Sequence, residues 1–317
     1  MLFSRACVRS MSSSLHRHVI WEWEGLVAYL HPRPWTPGSV ILEGGDLRGS
    51  LFHLEGPQFV KWLLGARRVA QLLCDRLHVH RCALVCRPHT DRPVQIHILP
   101  LHGLDTEWRP HLAAEEEYNA HDPGYCTSKS APRWSPSQLS EIQTRIRAQL
   151  PIPDAPPDLS FLGEDPAHPG LFSRIVRGEE QQWRVWEDEA HVAFLTPFPN
   201  SPGFTVLVPR RPLTSDVFRL EEDNYKKLAL AAQKVSRLLE EGLGAWAVGL
   251  IFEGFEIDYA HAKLIPLFLP PSASDVDHQS MKAVVFNATY PGFVTSQDGP
   301  EASACTLQEI HAKITQT

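Results

Sequence analysis

Nothing in this 317-residue sequence approaches the roughly 18 consecutive apolar residues of a membrane-spanning helix, which predicts a soluble protein. There is no Lys/Arg run or basic stripe, and 37 acidic residues outnumber 30 basic ones. Broad electrostatic capture of nucleic acid is therefore not expected. Cysteine is sparse: the six, at 7, 74, 82, 86, 126 and 305, include no C-x-x-C pair. Only Cys82 and Cys86 lie close, and on one strand they would project to the same side. That usage points to reduced, mostly buried thiols of an intracellular protein, with weak support for zinc. No metal and no cofactor is expected. Acids are missing ahead of Glu22, where Arg5, Arg9 and Arg17 are interleaved with Ser4, Ser10 and Ser12 to Ser14. This is the composition of a mitochondrial transit peptide, or else of a plain disordered terminus. Met11 lies inside the segment, and a start there would remove Arg5 and Arg9.

What the sequence does contain is itself, twice. Pro32-x-Pro34-x-Thr36-Pro37-Gly38 returns as Pro197-x-Pro199-x-Ser201-Pro202-Gly203, and each copy follows a Trp-Glu pair, Trp21-Glu22 and Trp186-Glu187. Leu99-Pro100-Leu101 returns as Ile265-Pro266-Leu267, and Pro123-Gly124-Tyr125-x-Thr127-Ser128 as Pro291-Gly292-Phe293-x-Thr295-Ser296. Ser135, Leu139, Glu141, Ile142 and Ile146 then match Ser303, Leu307, Glu309, Ile310 and Ile314. The offset drifts only from 165 to 168 over these collinear blocks. A period this long means tandem domains, not a solenoid, and the length suits two units of roughly 150 residues. The division read from the sequence is a terminal segment over 1–17, a first domain over 18–150, a Pro-rich linker over 151–169 and a second domain over 170–317.

Each copy reads as an α+β unit. A Trp-Glu strand and an apolar stretch (Leu26 to Leu30, Val192 to Leu195) precede the Pro-rich loop, and short β-branched runs follow at Ser39 to Leu42 and Thr205 to Val208. Phe59, Leu63, Ala66, Ala70, Leu73 and Leu77 step at helical spacing, as do Tyr225, Leu228, Ala232, Val235 and Leu239, with Gly242 placed as the cap. Cys82 to Cys86 and Val94 to Leu101 read as strands, matched by Ala247 to Phe252 and Ala260 to Phe268 around Glu253-Gly254-Phe255. Terminal helices are expected over Ser135 to Leu150 and Ser303 to Thr317. The result is a mostly antiparallel sheet with one main helix, used twice.

The sharpest chemical signal is Tyr259-Ala-His261-Ala-Lys263-Leu-Ile-Pro266. On a strand, Tyr259, His261 and Lys263 share one face while Ala260, Ala262 and Leu264 pack on the other. An imidazole between a phenol and an ammonium suits an anion: Lys263 neutralises a phosphate oxygen, Tyr259 donates a hydrogen bond, and His261 binds or attacks phosphorus. The first copy offers Pro93, Gln95 and His97 at these positions, so strong phosphate binding is expected in the second copy only.

This stretch resembles the signature of the histidine triad (HIT) superfamily, His-x-His-x-His with apolar residues at x. Phe172-Ser-Arg-Ile-Val-Arg-Gly-Glu179, Val185-Trp-Glu-Asp188, Ser201-Pro-Gly203 and Val206-Leu-Val-Pro-Arg210 follow the family's order. The resemblance spans about Pro169 to Thr317 and, through the repeat, reaches back to about His18. It implies nucleotide hydrolysis or nucleotidyl transfer, with His261 as nucleophile toward an α-phosphate. The flanking triad histidines fall on Tyr259 and Lys263, so two of the three are replaced. The ribose-binding aspartate of many members falls on Thr196, and the zinc cysteines of some fall on Gly170 and Ser173. The first copy resembles a repeat that has lost catalysis.

Three functions stay open: a weak HIT-type nucleotide hydrolase or nucleotidyl transferase acting through His261, a pseudoenzyme that binds nucleotide without turnover, and an interaction module. The expected ligand is a nucleotide or nucleotide derivative, with neither membrane nor nucleic acid as partner. Single-copy family members pair as dimers, so the two copies are expected to pack about a pseudo-twofold axis, as a monomer or a higher homo-oligomer. The N-terminus predicts a mitochondrial form begun at Met1, beside a cytoplasmic form begun at Met11. Imaging the full-length chain with a C-terminal tag checks this; an exclusively cytosolic signal would count against import.

Overall fold

The computed structural model describes residues 17–270 and 285–316, so the predicted transit segment lies almost wholly outside the described residues. Ten strands form one sheet: β1 (Val19–Trp23), β2 (Leu26–Leu30), β3 (Val40–Gly49), β4 (Cys82–Cys86), β5 (His89–Pro100), β6 (Arg184–Glu187), β7 (His191–Leu195), β8 (Thr205–Pro209), β9 (Ala247–Phe252) and β10 (Ala262–Leu267). Their spatial order is β1-β2-β3-β5-β4-β9-β10-β8-β7-β6, and every pairing is antiparallel. Read from the middle outward, the two halves have the same order. They meet at β4 and β9, where Leu84 faces Phe252, Val85 faces Ile251 and Cys86 faces Leu250. The repeat aligns Val85 with Ile251, so the pseudo-twofold axis passes through that pair. A self-complementary strand edge pairs with its own copy in just this way.

One face of the sheet carries α1 (Gly56–Leu77) and α4 (Glu222–Leu243), whose mutual packing joins the halves in one continuous core. The stripe read from helical spacing is the buried one: Phe59, Leu63, Ala66, Ala70 and Leu73 on α1, and Tyr225, Leu228, Ala232, Val235 and Leu239 on α4. Fully burying each large apolar side chain contributes about 1.5–3 kcal/mol. The Tyr225 hydroxyl is not wasted in this core, since it donates to the Leu63 carbonyl at 2.8 Å. The thiol beside Cys82 is Cys74 of α1, at 3.7 Å between sulfurs. Cys82 and Cys86 share the helix-covered side of β4.

The terminal helices cross over. Ser135 caps α2 (Pro136–Arg147) in a reciprocal box with Gln138, and Ser303 caps α5 (Ala304–Thr315) through the Thr306 amide. Yet α2, which follows the first copy in sequence, packs on α4 and β6, while α5 packs on α1 and β1. The repeated loop glycines show why the repeat needs glycine there. Gly38 and Gly203 sit at φ 75° and 81°, and a Cβ would fall 2.5 Å from Leu77 Cδ1 or 2.3 Å from Leu243 Cδ1. The next neighbours again belong to the other copy's terminal helix, Ile310 at Gly38 and Ile142 at Gly203. The stretch over 151–169 is likewise tied down: the fully buried Arg210 donates to the Asp158 and Ser160 carbonyls, and Arg184 donates to Asp158 as well.

Two expectations are corrected. β10 starts at Ala262, so Tyr259, Ala260 and His261 precede the regular strand. The cap of α4 is Gly244, at φ 70°, and Gly242 lies inside the helix. Its role is close approach: a Cβ there would be 2.9 Å from Ile146 Cα and 3.3 Å from the Arg145 carbonyl of α2. Gly242→Ala should therefore lower stability by about 1–3 kcal/mol through overpacking. Helix propensity alone would raise it by up to about 1 kcal/mol. Urea unfolding monitored by circular dichroism decides the sign.

Candidate functional site

The helix-free face of the sheet holds a second apolar cluster, and it is built differently in the two halves. Tyr259 and Ile265 belong to this cluster, while Ala260, Ala262 and Leu264 belong to the helix-side core, as alternation predicts. Tyr259, His261 and Lys263 are thus brought together on one face. All three are buried, at 1%, 3% and 4% exposure.

Their polar groups find partners within the protein. The Tyr259 hydroxyl donates to the Pro209 carbonyl at 2.8 Å. Lys263 Nζ donates to Glu253 Oε2 at 3.0 Å and lies 3.3 Å from Glu256 Oε2. Glu253 accepts two further bonds, from Ser128 Oγ at 2.9 Å and the Tyr290 hydroxyl at 2.6 Å. Burial alone would pull the Lys263 ammonium down, but the two carboxylates hold its pKa above the ordinary lysine value. The same ammonium, with its own charge chiefly responsible, keeps the Glu256 carboxyl below its usual value.

His261 is held as a neutral ring. Burial first, and the Lys263 charge second, lower its pKa. Its Nδ1 lies 2.7 Å from the Tyr259 carbonyl, which can only accept, so Nδ1 carries the proton and Nε2 the lone pair. Phe172 of α3 (Leu171–Arg177) stands edge-on to this ring and to Tyr259, at 5.5 and 5.7 Å between centroids. A strap from the first copy runs over the same end: Trp108 donates to the Gly254 carbonyl at 2.9 Å, and the His111 amide to the Phe255 carbonyl at 3.0 Å. The ring is in the right tautomer for attack and is walled in. Thr196, Gly170 and Ser173 hold no ligand set. Thr196 accepts from the Phe198 amide at 3.2 Å, and the Ser173 hydroxyl lies 2.8 Å from His168 Nδ1.

The matching face of the first half is a cleft of about 990 Å³. Gln95 and His97, the repeat's partners of His261 and Lys263, line it together with Arg87, Trp35, Trp246 and Lys129. Gln95 donates to Glu43 at 2.6 Å. Where the second half has Glu253 with Tyr290, the first has Arg87 with Asp122, at 2.6 Å. Sequence reasoning missed all four of these residues, although the offset that aligns His261 with Gln95 also aligns Glu253 with Arg87. His97 stacks on His31 at 5.3 Å between centroids. Among the described residues, no group of three or more His, Cys, Asp and Glu side chains is arranged to hold a metal ion. No helix there is long and apolar enough to cross a membrane.

Residues 177–264, from the end of α3 through Lys263 and Leu264, match the family model described as the HIT domain. This part of the chain is a HIT domain. An uncharacterized HIT-like protein of Saccharolobus solfataricus is 28% identical over 101 residues, covering 30% of this chain and 72% of that one. A hypothetical histidine triad nucleotide-binding protein from Sulfolobus tokodaii is 20% identical over 46% of this chain and 89% of its own, with a TM-score of 0.30. A uridylyltransferase structure aligns over 93% of this chain and 86% of its own, at 13% identity and a TM-score of 0.47.

The buried histidines of the first half set an acid limit on stability. Burial first, then neighbouring positive charge, holds His31 near pKa 4 and His97 near 3, against an ordinary 6.5. Above pH 6.5 neither folded nor unfolded chain protonates them, so their contribution is fully present. Below 6.5 the unfolded chain binds protons that the folded one refuses. Stability should fall by about 1.4 kcal/mol per pH unit for each ring, until pH passes about 4 and then about 3. Urea midpoints between pH 7 and 4, compared with those of a His31→Gln, His97→Gln variant, measure this; equal acid slopes would rule it out.

Proposed function

We propose that this chain is a nucleotide-binding protein of the HIT type in which nucleotidyl transfer through His261 has been silenced. One observation carries the reading: Lys263 is already engaged by Glu253 at 3.0 Å and by Glu256 at 3.3 Å. A triad-type site needs net positive or neutral donors around an α-phosphate as charge develops there. One ammonium facing two carboxylates does not supply that. Like unit charges 4 Å apart repel by about 4 kcal/mol at an effective dielectric of 20, so a phosphate entering beside Glu253 and Glu256 meets repulsion where catalysis requires attraction.

A second reading, a weak hydrolase or transferase, is favoured by the Nε2 lone pair of His261, the tautomer that attacks phosphorus. It requires the Trp108 strap to open and Lys263 to exchange its partners. Incubation with ATP and GTP labelled at the α-phosphate separates the two readings. The expected result is no protein-bound label and no hydrolysis that depends on His261. An acid-labile label that disappears in His261→Asn would establish the nucleotidyl-histidine and overturn the silent reading. Calorimetry with the same nucleotides tests binding itself.

A further inference from the structure

The first-half cleft combines three features that the second half lacks. It is large: about 990 Å³ lies at the upper end of the range for small-molecule sites. It is rich in flat apolar surface, with Trp35 edge-on to Phe293 at 5.7 Å and Trp246 also on its wall. And it contains hydrogen-bond donors without acceptors. Arg87 is only 9% exposed, with one terminal nitrogen on Asp122 at 2.6 Å and the other 2.9 Å from His89 Nδ1. Its Nε–H has no partner, and neither has the buried Nδ2 of Asn287 on the same cleft.

Unpaired buried donors are uncommon, because each costs about 1–3 kcal/mol of desolvation. Two of them on one cleft describe a ligand that brings acceptors. Arg92, an exposed cation on the rim, adds positive charge. The acids of the cleft are mostly engaged: Asp122 by Arg87, Glu117 by Lys129 at 3.8 Å and by the Tyr125 hydroxyl, and Asp298 by Arg33 at 3.7 Å.

We infer that the first-half cleft, not the His261 face, is the ligand site of this protein, and that it takes a nucleoside monophosphate. The base lies on the Trp246 and Phe293 surface, and the phosphate oxygens accept from Arg87 Nε, Asn287 Nδ2 and Arg92. Aromatic surface serves any base, since each presents a π-face, and guanidinium donors match phosphate geometry. This rests on the nucleotide-binding reading above and relocates its site. The half that keeps the histidine has filled its face with protein, and the half that lost it holds the cleft. Trp246 also reports occupancy, because its Nε1 donates to Asp122 at 3.2 Å, the carboxylate that holds Arg87.

Titration of the full chain with AMP, GMP, CMP and UMP, by calorimetry and tryptophan fluorescence, tests the inference. Binding of at least one should be accompanied by a fluorescence change that Trp246→Phe largely removes. Asn287→Ala and Arg87→Met should each weaken binding tenfold or more, and Arg92→Ala several-fold with a shallower salt dependence. His261→Asn should stay within twofold of the parent. Asn287 lies in a loop and keeps the test decisive if Arg87→Met fails to fold, which circular dichroism reports. Nucleotide binding that survives Asn287→Ala and Arg92→Ala but is lost in His261→Asn would overturn the cleft assignment and leave the nucleotide reading intact. No binding of any of the four would overturn both.

Discussion

The pairing of β4 with β9 is the contact on which the rest of the molecule depends. Without it each half presents an open strand edge at Cys82–Cys86 or Ala247–Phe252, and buried apolar residues on both faces of these strands would meet water. With it the sheet runs continuously through ten strands, α1 reaches α4, and the Val85–Ile251 pair becomes a local symmetry axis. The same symmetry recurs at a second level. The Thr127–Thr295 bridge is flanked by Ser128 donating its amide to the Val294 carbonyl and Ser296 donating its amide to the Cys126 carbonyl, equivalent bonds run in both directions. The crossed helices α2 and α5 close the arrangement, since each covers the half to which its own copy does not belong.

Symmetry of the backbone did not keep symmetry of charge. At one pair of equivalent positions the first half has a guanidinium bonded to a carboxylate, Arg87 with Asp122, and the second a carboxylate bonded to a phenol, Glu253 with Tyr290. Geometry is kept and the sign of the anchoring group is reversed. Around Glu253 the buried charges are matched locally, which is the condition for burying them at all. Around Arg87 one donor remains unmatched. A duplicated domain is free to diverge in this manner, because the shared core is secured by the central strands and helices and not by the face opposite them.

Much of the fold was legible because repetition and periodicity are local properties of the chain. The buried stripes of Phe59 to Leu73 and Tyr225 to Leu239 follow from helical spacing, and the serines at 135 and 303 follow from capping chemistry. The alternation around His261 placed Tyr259 and Ala260 on the correct opposite faces. Gly242 was misread for a physical reason: a glycine near a helix end looks like a cap, and only the approach of Ile146 from α2, nearly a hundred residues away, shows that it serves packing.

The sequence by itself determined that one α+β unit occurs twice, which residues line its core, and that a histidine and a lysine share a strand face. Those features depend on neighbours within a few positions or on comparison of the chain with itself. Only the tertiary structure decided what surrounds that face. Whether Lys263 meets a phosphate or a carboxylate depends on Glu253, ten residues away around a turn, and on Tyr290 and Ser128 from two different connections. The cleft beside Gln95 likewise takes Asn287 from the second copy and Arg87 from the first. Electrostatic character in a protein interior belongs to groups gathered from distant parts of the chain, and no local pattern records their assembly.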